Sequence, residues 1–237
     1  MYSEAFCKVY NEFGWNYFPE AFGEQLLAWI DKKGLDVKSS LDLGCGTGVL
    51  CEILSARGIK ARGMDFSEGM IAIARERAPH IPYDVGDMVV YRPEEKFDLI
   101  TCTGDALNHI ISLGDVEKIL ENVYGYLNEG GYFVFDILNE KEIPTSEPIE
   151  LPFSEDVTAW FQITQEQGIV TLSTTVHEKG KEPFTERINE TVHDADKVLA
   201  MLKRIGYCDI TISHQLLENA NSNSSTWYIT AGKGRTA

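Results

Sequence analysis

The 237-residue sequence holds only five cysteines, Cys7, Cys45, Cys51, Cys102 and Cys208, and no two of them form a Cys-x-x-Cys pair. Their odd number and wide scatter argue against a disulfide framework and against a structural zinc site, so they read as reduced thiols. The five histidines (His80, His109, His177, His193 and His214) lack short-spaced ligand pairs, and no metal is expected. Basic residues are scarce, with 21 Lys and Arg against 37 Asp and Glu and a formal charge of −16. A chain this acidic gains nothing from counterion release on a phosphate backbone, which excludes nucleic acid as an expected partner. No apolar run approaches the length of a membrane-spanning helix, and Met1-Tyr2-Ser3-Glu4 lacks the basic-then-apolar order of a secretion signal. The expectation is a soluble, cytoplasmic protein with no membrane partner.

The composition is that of an ordinary globular chain, 43% hydrophobic and 24% charged. Its length suits one large α/β unit with an inserted subdomain. The acidity is uneven: from Asp136 to Glu190 there are twelve Asp or Glu and four Lys or Arg. Two readings of that segment stand side by side, a solvated face that maintains solubility and a field that steers in a cation such as an amine.

Apolar periodicity divides the chain. Tyr2 to Ile30 is aromatic, with Tyr10, Phe13, Trp15, Tyr17, Phe18 and Phe22, and reads as two short helices with a break near Pro19. A strand from Ser40 runs into Gly44-Cys45-Gly46-Thr47-Gly48, and helix spacing follows through Val49, Leu50, Ile53 and Leu54 to Gly58. Ile59 to Asp65 is the next strand, and Ser67 to Ala78 a helix capped by Ser67 and ended by Pro79. Phe97 to Cys102 is a strand and Asp115 to Leu127 a helix; the Asn128 to Gly131 turn then leads to strand Tyr132 to Ile137. Such alternation predicts a parallel sheet covered on both faces.

After Ile137 the period becomes two. Val157 to Thr164, Ile169 to His177 and Phe184 to Val192 read as an antiparallel meander, with Gly168 and Gly180 in the turns. A helix capped by Asp194 and stopped by Gly206 precedes two strands, Tyr207 to Ser213 and Thr226 to Ala231, which flank a polar loop around Asn219 to Ser225.

The most informative segment is Leu41 to Gly48, because a glycine loop between strand and helix lets a ligand approach bare backbone amides. A dinucleotide fingerprint wants Gly-x-Gly-x-x-Gly, and here position 49 is Val with the third glycine one residue early, which disfavours NAD. Asp65 closes the second strand about twenty residues on, where a carboxylate can accept from both ribose hydroxyls of an adenosine. Its other reading, a cap for the helix beginning near Ser67, is weaker in the presence of the glycine loop.

Together, Leu41 to Gly48, Asp65-Phe66, Gly86-Asp87-Met88 and Phe97 to Cys102 resemble the successive motifs of class I S-adenosylmethionine-dependent methyltransferases, over roughly residues 38 to 137. The resemblance implies a doubly wound, Rossmann-like seven-stranded sheet whose last strand is antiparallel. It implies that Asp42 and the backbone of Gly44, Cys45 and Gly46 face the methionine part of S-adenosylmethionine, that Asp65 holds the ribose and Phe66 the adenine, and that Asp87 and the amide of Met88 meet the adenine edge. Cys102 and Thr103 would line the cofactor near the methyl group. Residues 1–137 and 193–237 are expected to form the cofactor-binding domain, with 1–35 as a helical cover and 138–192 as a departure from the pattern: an inserted antiparallel β lid. Similar inserts occur in members that methylate small molecules, some sugar N-methyltransferases among them.

Methyl transfer from a sulfonium is an in-line displacement, so the protein mainly holds the nucleophile about 3–3.5 Å from the methyl and excludes water. Where a proton must leave, Asp105, Asn108 and His109 in the loop after the fourth strand are the candidate groups. His109 has a second reading as a helix-start residue bonded to backbone. Tyr2, Tyr10 and Tyr17 either cover the bound cation or pack the helix on the core, and Tyr10 is taken as a cofactor contact. Trp160 and Phe161 point to opposite faces of the lid, so one of them is expected to pack on the sheet domain. His193 reads as structural. The expected reaction is transfer to a nitrogen or oxygen of a small-molecule acceptor by a monomer or homodimer. The competing hypotheses are a non-catalytic adenosyl-binding module, a nicotinamide oxidoreductase, and a protein or RNA methyltransferase, the last opposed by lid and charge.

Overall fold

In the computed structural model, residues 2–11, 13–139, 141, 143, 145–152, 154–214, 216 and 225–235 are described. The glycine-rich turn and the β/α alternation generate a seven-stranded sheet. Its strands are β1 (Ser39–Leu43), β2 (Lys60–Asp65), β3 (Tyr83–Val85), β4 (Phe97–Cys102), β5 (Leu127–Leu138), β10 (Tyr207–Ser213) and β11 (Thr226–Lys233), in the order β10-β11-β5-β4-β1-β2-β3. β11 runs antiparallel to both neighbours, and the other pairings are parallel.

Helices cover both faces. α5 (Leu113–Tyr126) and α6 (Ala195–Ile205) bury Val116, Ile119, Leu120, Val198 and Leu202 against Phe133, Phe135 and Ile137 on one side. α2 (Tyr17–Lys33), α3 (Val49–Ala56) and α4 (Glu68–Arg77) bury Leu26, Trp29, Leu50, Leu54 and Ile71 with Val134 and Leu99 on the other. That Val134 faces away from Phe133 and Phe135 is the period-two geometry of a strand buried on both sides. Caps set the helix starts: Ser67 accepts from the Met70 amide, and Asp194 from those of Asp196 and Lys197.

Two expected boundaries move. The break in the N-terminal region falls between α1 (Glu4–Val9) and α2, not at Pro19. Pro19 sits in the first turn of α2, where the missing N–H has no intrahelical partner to lose. At the other site, β5 begins directly after α5, and Asn128 to Gly131 is an irregularity within that strand: Leu127 pairs with Phe97, and Tyr132 already with Leu99.

A second sheet of order β6-β7-β8-β9 lies between β5 and α6, made of β6 (Ile149–Pro152), β7 (Val157–Glu166), β8 (Ile169–Glu178) and β9 (Phe184–Thr191). β6 was not apparent in the sequence. Gln167 and Gly168, both at positive φ (53° and 81°), form the two-residue β7–β8 connection that matches strand twist. Phe161 packs edge-on against Phe13 and Trp15, at 6.0 and 5.8 Å between ring centroids, while Trp160 stands against His177 at 4.6 Å. One aromatic therefore ties the small sheet to the N-terminal segment. The polar loop expected around Asn219 to Ser225 lies, apart from Ser225, outside the described residues. Among the described residues no helix is long and apolar enough to cross a membrane.

Candidate active site

A cavity of about 830 Å³ opens at the carboxyl ends of β1, β2, β3 and β4, the position where parallel sheets present ligand sites. One side is the glycine loop. Asp42, at the end of β1, is buried and accepts the Thr101 hydroxyl at 2.7 Å and the Cys51 thiol at 3.9 Å. Burial pushes its carboxyl up to about 7 against those two lowering bonds. Gly44 has φ +75°, and a Cβ there would stand 2.7 Å from the Cβ of Ala106. Gly48, at φ +79°, would collide with Tyr83 Oη at 2.6 Å, so the third glycine serves the packing of the α3 start. Beside Gly46 there is open space.

Asp65 takes the capping position expected of it as one reading, and it also reaches back to the glycine loop. One oxygen accepts the Ser67 amide at 2.8 Å and the other the Gly46 amide at 2.9 Å, fastening the glycine loop to the start of α4. Burial raises its pKa, and these amides oppose the shift. Phe66 is more than half exposed, and Asp87, whose Oδ1 accepts the Val89 amide at 2.9 Å, follows with Met88. Asp42, Gly44, Cys45, Gly46, Asp65, Phe66, Asp87, Met88, Thr103 and Tyr10 all line the one cavity.

The opposite side is built on Asp136 at the end of β5. This wholly buried carboxylate accepts the amides of Gly104 and Asp105 at 2.8 and 2.9 Å and holds Asp105 at φ +60°. Asp105 lines the cavity, and burial raises its pKa. His109, at the end of a 3-10 helix (Ala106–His109), also lines it; its Nε2 is 3.5 Å from Tyr2 Oη, and burial lowers its pKa, favouring the neutral ring. Glu190 on β9 escaped sequence reading. Burial first, and the Asp105 charge second, push its carboxyl up. Its neighbour Glu186 accepts the Ser3 hydroxyl at 2.6 Å and the Ser3 amide at 3.3 Å, clasping the small sheet to the start of α1. Tyr2, Tyr10 and Trp15 complete the aromatic wall.

Three expectations do not meet at this cavity. Cys102 is wholly buried in the core beneath it, because the last residue of β4 turns toward α5. Asn108 is wholly buried too: its amide donates to the Thr191 carbonyl at 2.8 Å and its Oδ1 accepts the Leu138 amide at 3.2 Å, a structural junction. Tyr17 is 70% exposed and lies off the cavity. His193 is buried beside the Leu107 and Ile110 backbone, and its Nε2 has no hydrogen-bond partner among the described residues. Among the described residues no group of three or more His, Cys, Asp or Glu is arranged to hold a metal ion.

Residues 41–131 match the family model for a methyltransferase domain. A protein of Geobacillus sp. (strain WCH70) that carries a methyltransferase name is 24% identical over 229 residues, 87% of each chain. The dTDP-4-amino-2,3,4,6-tetradeoxy-D-glucose N,N-dimethyltransferase of Saccharopolyspora spinosa is 32% identical over 101 residues, 43% of this chain and 41% of that relative, so the match spans less than half its length. An S-adenosylmethionine-dependent methyltransferase from Clostridium acetobutylicum ATCC 824 has the same fold, with a TM-score of 0.81 at 21% identity over 91% of this chain and 92% of that one.

Proposed function

We propose, from the premise that this chain belongs to the class I S-adenosylmethionine-dependent methyltransferases, that it methylates a nitrogen or oxygen of a small molecule held between the glycine loop and the four-stranded sheet. The observation that carries this reading is the single cavity that joins the glycine loop, Asp65 and Asp87 to Asp105, His109 and the aromatic wall. A volume of about 830 Å³ is near the top of the range for small-molecule sites, which suits two ligands side by side.

The residues on the first side fit the cofactor. Asp42, Asp65 and Asp87 put carboxylates along it and no Lys or Arg, which favours a ligand bearing a sulfonium and an ammonium group. Asp42 and the backbone of Gly44, Cys45 and Gly46 would hold the methionine part, Asp65 the ribose, and Phe66, Asp87 and Met88 the adenine. Thr103 and Tyr10 would flank the reacting end. When bound, the cofactor supplies an electrophilic methyl carbon whose bond to sulfur breaks as the nucleophile attacks.

The protein's own share is positioning and exclusion of water. The Ser3–Glu186 clasp and the Phe161–Trp15 contact tie the small sheet to the N-terminal segment beside the cavity, where it would act as the lid. His109 is neutral at ordinary pH and is the acceptor-side histidine. A folded His109→Ala variant with unchanged turnover would remove any catalytic part for it. The amino-sugar specificity in the name of the Saccharopolyspora relative supports a small-molecule acceptor, and a basic groove for RNA is absent among the cavity-lining residues, where Arg187 is the one Lys or Arg.

Titration calorimetry with S-adenosylmethionine and S-adenosylhomocysteine, with NADH as control, tests the reading. Micromolar binding of both adenosyl ligands, lost in a folded Asp65→Ala variant, is the expected result. No binding of either to the folded protein would overturn it.

A further inference from the structure

The side of the cavity away from the glycine loop holds a carboxylate without a partner. Asp105 lines the cavity and is otherwise enclosed by protein, yet among the described residues its carboxylate accepts no hydrogen bond. The Asp136 carboxylate beneath it is different, being occupied by the Gly104 and Asp105 amides. Glu190 comes down from β9 close enough for the Asp105 charge to raise its carboxyl, and the two share one neighbourhood. Opposite stand the rings of Tyr2, Tyr10 and Trp15, with Tyr2 and Tyr10 at 5.9 Å and Tyr10 and Trp15 at 5.1 Å between centroids.

Burying an ionised group without a partner costs several kcal/mol, so this arrangement is favourable only when something cationic enters or a proton is kept. Aromatic faces attract the same kind of ligand, because their negative quadrupole complements an ammonium group. Arg187, the one Lys or Arg among the described cavity-lining residues, is exposed and bonds to neither Asp105 nor Glu190. A neutral hydroxyl would leave the Asp105 charge unpaired.

We infer that the acceptor is a cationic amine, seated with its ammonium group between Asp105 and the Tyr2, Tyr10 and Trp15 rings, and that Asp105 is the group that takes its proton. This rests on the methyl-transfer reading above. An ammonium nitrogen has no lone pair to offer, so one N–H bond must break first. The proton passes from R–NH3+ to the Asp105 carboxylate, leaving R–NH2 and a neutral carboxylic acid. The freed lone pair forms the new N–C bond while the C–S electron pair stays on sulfur, and the positive charge returns to nitrogen. Glu190 stands beside Asp105: burial, and then the Asp105 charge, favour the protonated form of Glu190, which leaves Asp105 as the group of the pair that meets the cation.

The test uses the whole chain loaded with S-adenosylhomocysteine and two probes of one shape, cyclohexylamine and cyclohexanol. Calorimetry is expected to give about tenfold tighter binding of the amine. Asp105→Asn should abolish that preference, while S-adenosylhomocysteine affinity stays within about twofold. Equal or weaker binding of the amine, or binding of neither probe to the loaded unmodified protein, overturns the inference without touching the methyltransferase reading. Failure of the unmodified protein to bind S-adenosylhomocysteine overturns that reading instead. The comparison of probes on the unmodified protein does not depend on the variant folding. A preference that survives intact in folded Asp105→Asn also overturns the inference.

Discussion

At Gly44 and Gly46 the same substitution should have different consequences. An added methyl at Gly44 meets the Ala106 Cβ at 2.7 Å and inherits a backbone at φ +75°; at Gly46 it enters open space at φ +51°. Gly44→Ala is expected to lower stability by about 2–4 kcal/mol, and Gly46→Ala by about 1 kcal/mol, backbone strain alone. Thermal unfolding followed by circular dichroism checks the order, and equal melting temperatures would refute the crowding at Gly44. The importance of these glycines was legible in the sequence because a loop between strand and helix needs positive φ. So was Asp65, fixed by its distance from that loop. Cys102 and Asn108 were misread because spacing locates the end of a strand without telling which way a side chain turns from it. Glu190 could not be singled out: in an alternating strand rich in acids it looks like any solvated carboxylate until β9 is laid over Asp105.

Between elements, Asn108 connects three pieces of chain. It joins the loop after β4 to the end of β9 through Thr191 and to the end of β5 through Leu138. Asn108→Ala leaves two buried backbone groups unpaired, and a loss of about 2–4 kcal/mol in urea unfolding is expected. A cost below about 0.5 kcal/mol would mean that water or rearrangement replaces both bonds. The Ser3–Glu186 clasp is a weaker joint at the rim. Ser3→Ala should leave global stability nearly unchanged and speed limited proteolysis within residues 2–16, with S-adenosylhomocysteine protecting the unmodified protein more than the variant. The order of the main strands and helices was readable from apolar period. What stayed hidden depended on contacts far apart in sequence: short β3 and β6 draw their stability from neighbouring strands rather than from their own pattern. The same holds for the Asn128 to Gly131 segment, whose turn residues fall inside β5 between the Leu127–Phe97 and Tyr132–Leu99 pairs.

For the molecule as a whole, charge and burial work in one direction. Asp42, Asp65, Asp105, Asp136 and Glu190 all have folded-state pKa values raised above the ordinary carboxylate range, chiefly by burial. The folded state therefore binds more protons than the unfolded chain, and stability must fall as pH rises. For Asp42 the decline runs from its ordinary value of 3.8 to about 7. The protein without ligand should melt at a higher temperature near pH 6 than near pH 8, and Asp42→Asn should flatten part of that slope. A melting temperature that climbs between those pH values would contradict the assigned shifts. The formal charge of −16 adds self-repulsion with the same sign. The walls of the cavity have a further consequence. The stretch that matches the family model ends at residue 131, whereas the lining residues Tyr2, Tyr10, Trp15, Asp136 and Glu186 all lie outside it. On the function proposed above, the matched stretch supplies the half of the cavity assigned to the methyl donor, while the half assigned to the acceptor is built from segments outside the match. Two descendants of one ancestor can keep an identical donor half and modify unrelated compounds, and grafting residues 138–192 between such relatives is the direct way to exchange one acceptor for another.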